Sequence, residues 1–191
     1  DNITIIVPAD NFETAQAIKS AAGMSHPVYV RFGKRPLYHL HTPGTRFEPG
    51  KALLVQDGKD VAFLATGETV HPALMAAREL QESGLSCRVL SIHTVKPLDV
   101  DAVVSTAAEC RAVVTVEEHS VLGGLGEACA AVLMQAGIHV PFKIVGVLEP
   151  KGQTAEGNDQ DDIVLAPYTT VKNRLSGRQF IGQILASTFS P

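Results

Sequence analysis

From residue 51 to residue 147, short β-branched and aliphatic runs alternate with helix-length stretches, and that alternation leaves few folds open. The strand-like runs are Ala52–Val55, Val61–Ala65, Cys87–Ile92, Ala112–Val116 and Phe142–Val147. Between them a helix is expected from about Val70 to Ser83, with Pro72 in its first turn, Leu74, Ala77 and Leu80 on one face, and Gly84 as its stop. Asp99 is expected to cap a short helix through about Ala108, and Gly124-Leu125-Gly126 to open another that ends near Gly137. Strands separated by helices of this length form a mostly parallel sheet covered on both faces. Asp57-Gly58, between the first two runs, is a hairpin signal, so one antiparallel strand is expected there.

The N-terminal stretch reads as a partial βαβ unit. Ile3–Val7 is a strand stopped by Pro8, and Asp10 and Glu13 have capping-box spacing. Ala15, Ile18 and Ala22 form a helical stripe ended at Gly23, and Pro27–Phe32 is a second strand. Two strands and one helix bury too little surface to stand alone, so this unit must lean on something larger. Gly33, Pro36, Pro43, Gly44, Pro49 and Gly50 break any period. The expected organisation is thus a βαβ fragment at 1–35, a linker at 36–50, an α/β domain at 51–147 and a divergent tail at 148–191.

Composition narrows the functional classes. Of 191 residues, 45% are hydrophobic and 19% charged, enough for a packed core. A net charge of −4 argues against nucleic-acid binding by phosphate neutralisation. No apolar run approaches the roughly 18 residues that cross a bilayer, and Asp1–Thr4 lacks the basic start of an export signal. Cys87, Cys110 and Cys129 are odd in number and far apart, which disfavours a disulfide framework and fits a reducing cytoplasm.

Several residues could carry chemistry. Gly123-Gly124-Leu125-Gly126 precedes a helix, where N–H groups could hold a phosphate. Cys129 stands where the dinucleotide fingerprint needs its third small residue, and Glu118–Leu122 intervenes between strand and glycines, so a structural loop is the competing reading. Glu117-Glu118-His119 lies at a strand's C-terminal end, where proton transfer is conceivable. No nucleophile or metal partner is evident for it, and a cluster ordering the glycine loop or a subunit contact is the plainer expectation. His39 and His41 are expected to be surface histidines, and Asp159–Asp162 a solvated turn rather than a calcium loop. Arg31, Lys34 and Arg35 follow the second strand: either a site for a phosphorylated substrate or a basic strand exit.

Two stretches carry a resemblance. Val7-Pro8-Ala9-Asp10 through Pro27–Arg31 resembles the last βαβ unit of the pyrimidine-binding domain of the transketolase family of thiamine-diphosphate enzymes. Asp60–Gly67 through Val116-Glu117-Glu118-His119 and Gly123-Gly124-Leu125-Gly126 resembles that family's C-terminal domain. The tail differs: Val145–Gln153, Asp159–Asp162 and Pro167–Thr170 resemble a periplasmic region of macrolide-exporter-type ABC transporter permeases.

The resemblance implies an α/β sandwich serving as a C-terminal fragment or split subunit of a transketolase-type transferase. It implies no catalysis by this stretch alone. Thiamine diphosphate and magnesium would be bound in the assembled enzyme by domains expected to lie elsewhere, since no Gly-Asp-Gly metal motif occurs here. It places Lys34 first and Arg31 second as residues for a substrate phosphate. Glu117, Glu118, His119, Gly123, Gly124 and Gly126 become an interface or structural loop in a homodimer or a hetero-assembly. A stand-alone α/β module that binds a nucleotide or a protein partner is the competing function.

Overall fold

The computed structural model describes residues 3–32, 37–42 and 44–146. Five strands form one sheet in the order β3 (Leu53–Gln56), β5 (Cys87–Ser91), β4 (Val61–Ala65), β7 (Ala112–Glu117), β8 (Phe142–Gly146). All neighbouring pairs are parallel except β3 with β5. The helices are α1 (Asn11–Ala22), α2 (Val70–Glu82), α3 (Val100–Glu109) and α4 (Leu125–Gln135).

Central β4 shows why the sheet needs two covers. Ala62 and Leu64 face a cluster with Val103 and Ala107 of α3 and Leu125, Cys129 and Leu133 of α4. Phe63 and Ala65 face the opposite cluster, with Val70, Ala73, Leu74 and Ala77 of α2. A strand buried on both faces must be apolar at every position, and β4 is. The expected α/β sandwich is the observed one.

The antiparallel strand exists, but the hairpin expected at Asp57-Gly58 does not. β4 already has parallel partners on both edges, so β3 pairs with the far side of β5, for example Leu54 with Leu90. The intervening loop is tied to Ser86 before β5: the N–H groups of Lys59 and Asp60 donate to its carbonyl at 3.1 and 2.7 Å. Asp57-Gly58 turns the chain under β5 instead of folding it back on itself.

The N-terminal βαβ unit leans on the second stretch, as its small core demands. β1 (Thr4–Ile6) pairs in parallel with β2 (Val28–Val30). Its other edge pairs antiparallel with β6 (Thr94–Lys96), giving a three-stranded sheet in the order β2-β1-β6. β6 was not legible in the sequence, being three residues long with alternate polar side chains. Two further bonds continue the join: Val7 N–H donates to the His93 carbonyl at 2.7 Å, and Gly67 N–H to the Val7 carbonyl at 3.1 Å.

Gly67 adopts φ of +61°, and a Cβ there would meet Val7 Cγ1 at 2.6 Å. Gly67→Ala therefore combines left-handed backbone strain with a clash at the join. We expect a loss of roughly 2 kcal/mol or more of stability, read as a lowered urea midpoint without a change in slope.

Candidate functional site

Charged residues gather where strands end. Arg31 follows β2 directly, and its N–H donates to the Ile6 carbonyl at 2.9 Å, so its backbone stays registered with β1. Glu117 closes β7 and Glu118 follows it. The Arg31 Nη2 lies 3.1 Å from Glu118 Oε2, with side chains 19% and 24% exposed. The structure thus joins two residues that the sequence assigned to different roles, one to substrate and one to a loop. Lys34 and Arg35 lie outside the described residues, as do Asp159–Asp162.

Glu117 explains the glycine loop. Its side chain is buried and accepts from two N–H groups at the start of α4: Leu125 at 2.7 Å to Oε2 and Gly126 at 2.9 Å to Oε1. Gly124 is the N-cap residue and has no side chain to cap with, so the strand's last carboxylate does it from across the loop. A Cβ on Gly124 would run into that carboxylate, which is why glycine stands there. Gly123 N–H donates to Glu127 Oε2 at 2.8 Å. His119 lies on the same loop, its carbonyl packed toward Gly146 of β8.

These N–H groups are spent on carboxylates, and two acids beside them repel an added phosphate. The loop is an intramolecular cap, with Glu117 and Glu127 taking the N–H groups of Leu125, Gly126 and Gly123. The same chemistry does not fit the diphosphate of thiamine diphosphate. Nor do three or more His, Cys, Asp or Glu side chains converge as a metal site among the described residues. Burial, with the Glu117 charge adding to it, pushes the Cys129 thiol up to about 12, so it is inert packing beneath the cap. Cys87 and Cys110 are likewise buried and free.

A second cluster went unread in the sequence. Asp10 caps α1 by accepting from Glu13 N–H at 2.7 Å, and Glu13 Oε2 accepts from Ala9 N–H at 2.6 Å. The expected capping-box pair is real, with its return bond one residue early. The other Glu13 oxygen, Oε1, accepts from Ser91 Oγ at 2.7 Å and lies 2.7 Å from His41 Nε2. The expectation that His41 is a surface histidine is wrong: its side chain is 3% exposed, and Glu13 is fully buried. Asp10 Oδ2 also holds the N–H groups of Leu40 and His41 at 3.1 and 3.3 Å. Next to them His93, fully buried, stacks on Phe47 with ring centroids 4.2 Å apart and pairs with Thr94 Oγ1 at 2.9 Å. Only the Asp10/Glu13 spacing was a local signal; partners 28 and 78 residues away leave none.

The two imidazoles are driven in opposite directions. Burial opposes a charge on His41, but the bond to Glu13 and the charges of Glu13 and Asp10 outweigh it, and the pKa is raised. At His93 burial dominates, helped by His41, and the pKa is lowered. A raised histidine stabilises the fold fully below its ordinary value of 6.5, and that contribution is lost as pH rises through the raised value. The unfolding free energy of the parent minus that of His41→Gln should therefore be largest below pH 6.5 and shrink above it. Urea titrations over a pH series check this.

The cap gives a second expectation. Glu117→Ala strips two buried N–H groups of their acceptor and should cost about 2–4 kcal/mol, measured as the shift in the unfolding midpoint. Glu117→Gln keeps an acceptor oxygen for one of them and should lose less.

Set beside known proteins, residues 50–164 match the family described as transketolase, C-terminal domain. A 6-deoxy-6-sulfo-D-fructose transketolase subunit of Clostridium sp. (strain MSTE9) is 40% identical over 79% of this chain and 47% of its own length. An apulose-4-phosphate transketolase subunit of Phocaeicola vulgatus is 35% identical over 83% of this chain and 50% of its own. A solved structure described as a split-gene transketolase, inactive β4 tetramer, superposes with a TM-score of 0.73 at 40% identity, covering 78% of this chain and 49% of that one. The chain thus spans about half the length of the relatives it matches. No helix among the described residues is long and apolar enough to cross a membrane. The strand order, the two covered faces and this match agree: the chain belongs to the transketolase C-terminal domain family.

Proposed function

We propose that this chain works as the C-terminal subunit, or C-terminal portion, of a thiamine-diphosphate-dependent transketolase-type enzyme. The observation that carries the reading is the family match over residues 50–164 together with 35–40% identity to about half the length of proteins described as transketolase subunits. The coenzyme and magnesium belong to the assembled enzyme, held by a subunit or segment other than residues 1–191. In this reading the assembly is a homodimer or a hetero-complex, works in the cytoplasm and acts on a sugar with a terminal phosphate or related anion. Residues 36–50 link the βαβ fragment to the α/β domain, and 148–191, of which residues 148–164 still fall within the family match, form a divergent tail with transporter-like sequence.

Within that enzyme Arg31, with Lys34, binds the terminal anion of the substrate. Arg31 suits the task by position: it stands at the C-terminal end of a parallel strand, where open α/β sheets receive their ligands, and its planar fork matches a tetrahedral oxyanion. The glycine loop and His119 belong to the scaffold and subunit contact. The competing nucleotide-binding module is disfavoured by the carboxylates that occupy the loop's N–H groups.

The purified chain with thiamine diphosphate, magnesium and sugar phosphates should show no ketol transfer; turnover by this chain alone would overturn the reading. In the assembled enzyme, Arg31→Gln should raise KM for the phosphorylated substrate about tenfold or more, the scale of a lost charged hydrogen bond, with a smaller effect on kcat. Steady-state kinetics of parent and variant decide this.

A further inference from the structure

The Arg31–Glu118 pair places an acid where the reading above needs an anion, and that combination has a chemical consequence. Arg31 is fixed through its backbone bond to Ile6. Glu118 is fixed because its neighbour Glu117 is tied to the first turn of α4 by two hydrogen bonds. The carboxylate sits against Nη2 of the guanidinium at 3.1 Å, in a partly buried setting. An anion bound by the same guanidinium must come to rest within a few ångströms of Glu118.

Two fully ionised oxyanions side by side repel unless a proton lies between them. A phosphate monoester has a second pKa of about 6 and can present an O–H that donates to a carboxylate. A sulfonate is ionised throughout the working pH range and has no proton to offer. We infer that Glu118 is a specificity-determining residue of the terminal-anion subsite: it accepts a hydrogen bond from a protonated phosphate monoester and so selects phosphate over sulfonate. No bond is made or broken; the ester keeps its proton and shares it. The inference rests on the reading that Arg31 binds the substrate's terminal anion, and it moves Glu118 from loop architecture into recognition. Arg31 holds either anion, and Glu118 tells them apart.

The test uses the assembled enzyme and two unreactive polyols, D-ribitol 5-phosphate and 5-deoxy-5-sulfo-D-ribitol, with affinities measured by calorimetry across the range from weakly acidic to weakly basic pH. The parent should prefer the phosphate, and the preference should grow as pH falls toward the ester's second pKa of about 6. In Glu118→Gln, whose amide can donate to either anion, the preference should fall about tenfold, the scale of one charged hydrogen bond, and lose its pH dependence. Glu118→Ala should also flatten the pH profile. A purely structural ion pair would weaken both polyols together and leave their ratio unchanged; that result overturns the inference. Arg31→Gln separates the two layers. If it weakens both polyols while Glu118→Gln leaves the ratio alone, the anion site stands and the selectivity claim fails. If Arg31→Gln changes neither affinity, or the parent binds neither polyol, both fail.

Discussion

One carboxylate, Glu13, ties together three stretches of chain that lie far apart in sequence. Its two oxygens take up Ala9 N–H, Ser91 Oγ and the His41 imidazole, so the start of α1, the segment after residue 37 and the end of β5 meet on one side chain. A fully buried carboxylate is costly unless its oxygens are well supplied with donors, and here those three partners offset the cost. The arrangement also fixes where the chain goes after β2. Asp10 takes the N–H groups of Leu40 and His41, so a segment with no regular structure is held through its backbone.

The fold was legible wherever the determinants are local. β4, β5, β7 and β8 announce themselves as apolar runs, α2 through periodicity, and α3 through Asp99, a cap that accepts from Ala102 N–H. What misled was pairing. Asp57-Gly58 has the chemistry of a two-residue hairpin, yet which strand lies beside β3 is decided by the free edges the whole sheet leaves, and β4 had none. β6 was missed because three residues with two polar side chains make no pattern until β1 is there to pair with them.

The site divides in the same way. Arg31 could be found from its place after a strand, and the glycine loop from its composition. The reason for Gly124 could not, since it is the bulk of Glu117 seven residues before it. His41 shows the limit most clearly. A histidine two residues from another histidine, in a stretch rich in proline and glycine, has every local mark of a solvent-facing side chain. Its burial comes from Glu13, and nothing near residue 41 encodes that.

The strand β6 has a consequence for the molecule's architecture. By sequence it belongs with the larger sheet, lying between β5 and α3; by hydrogen bonding it belongs with the smaller one. No single peptide bond between residues 33 and 50 therefore separates two self-sufficient pieces. Severed at that point, each half would carry an open strand edge that the other was built to close, so recombination or transplantation of the larger lobe has to bring the first two strands along.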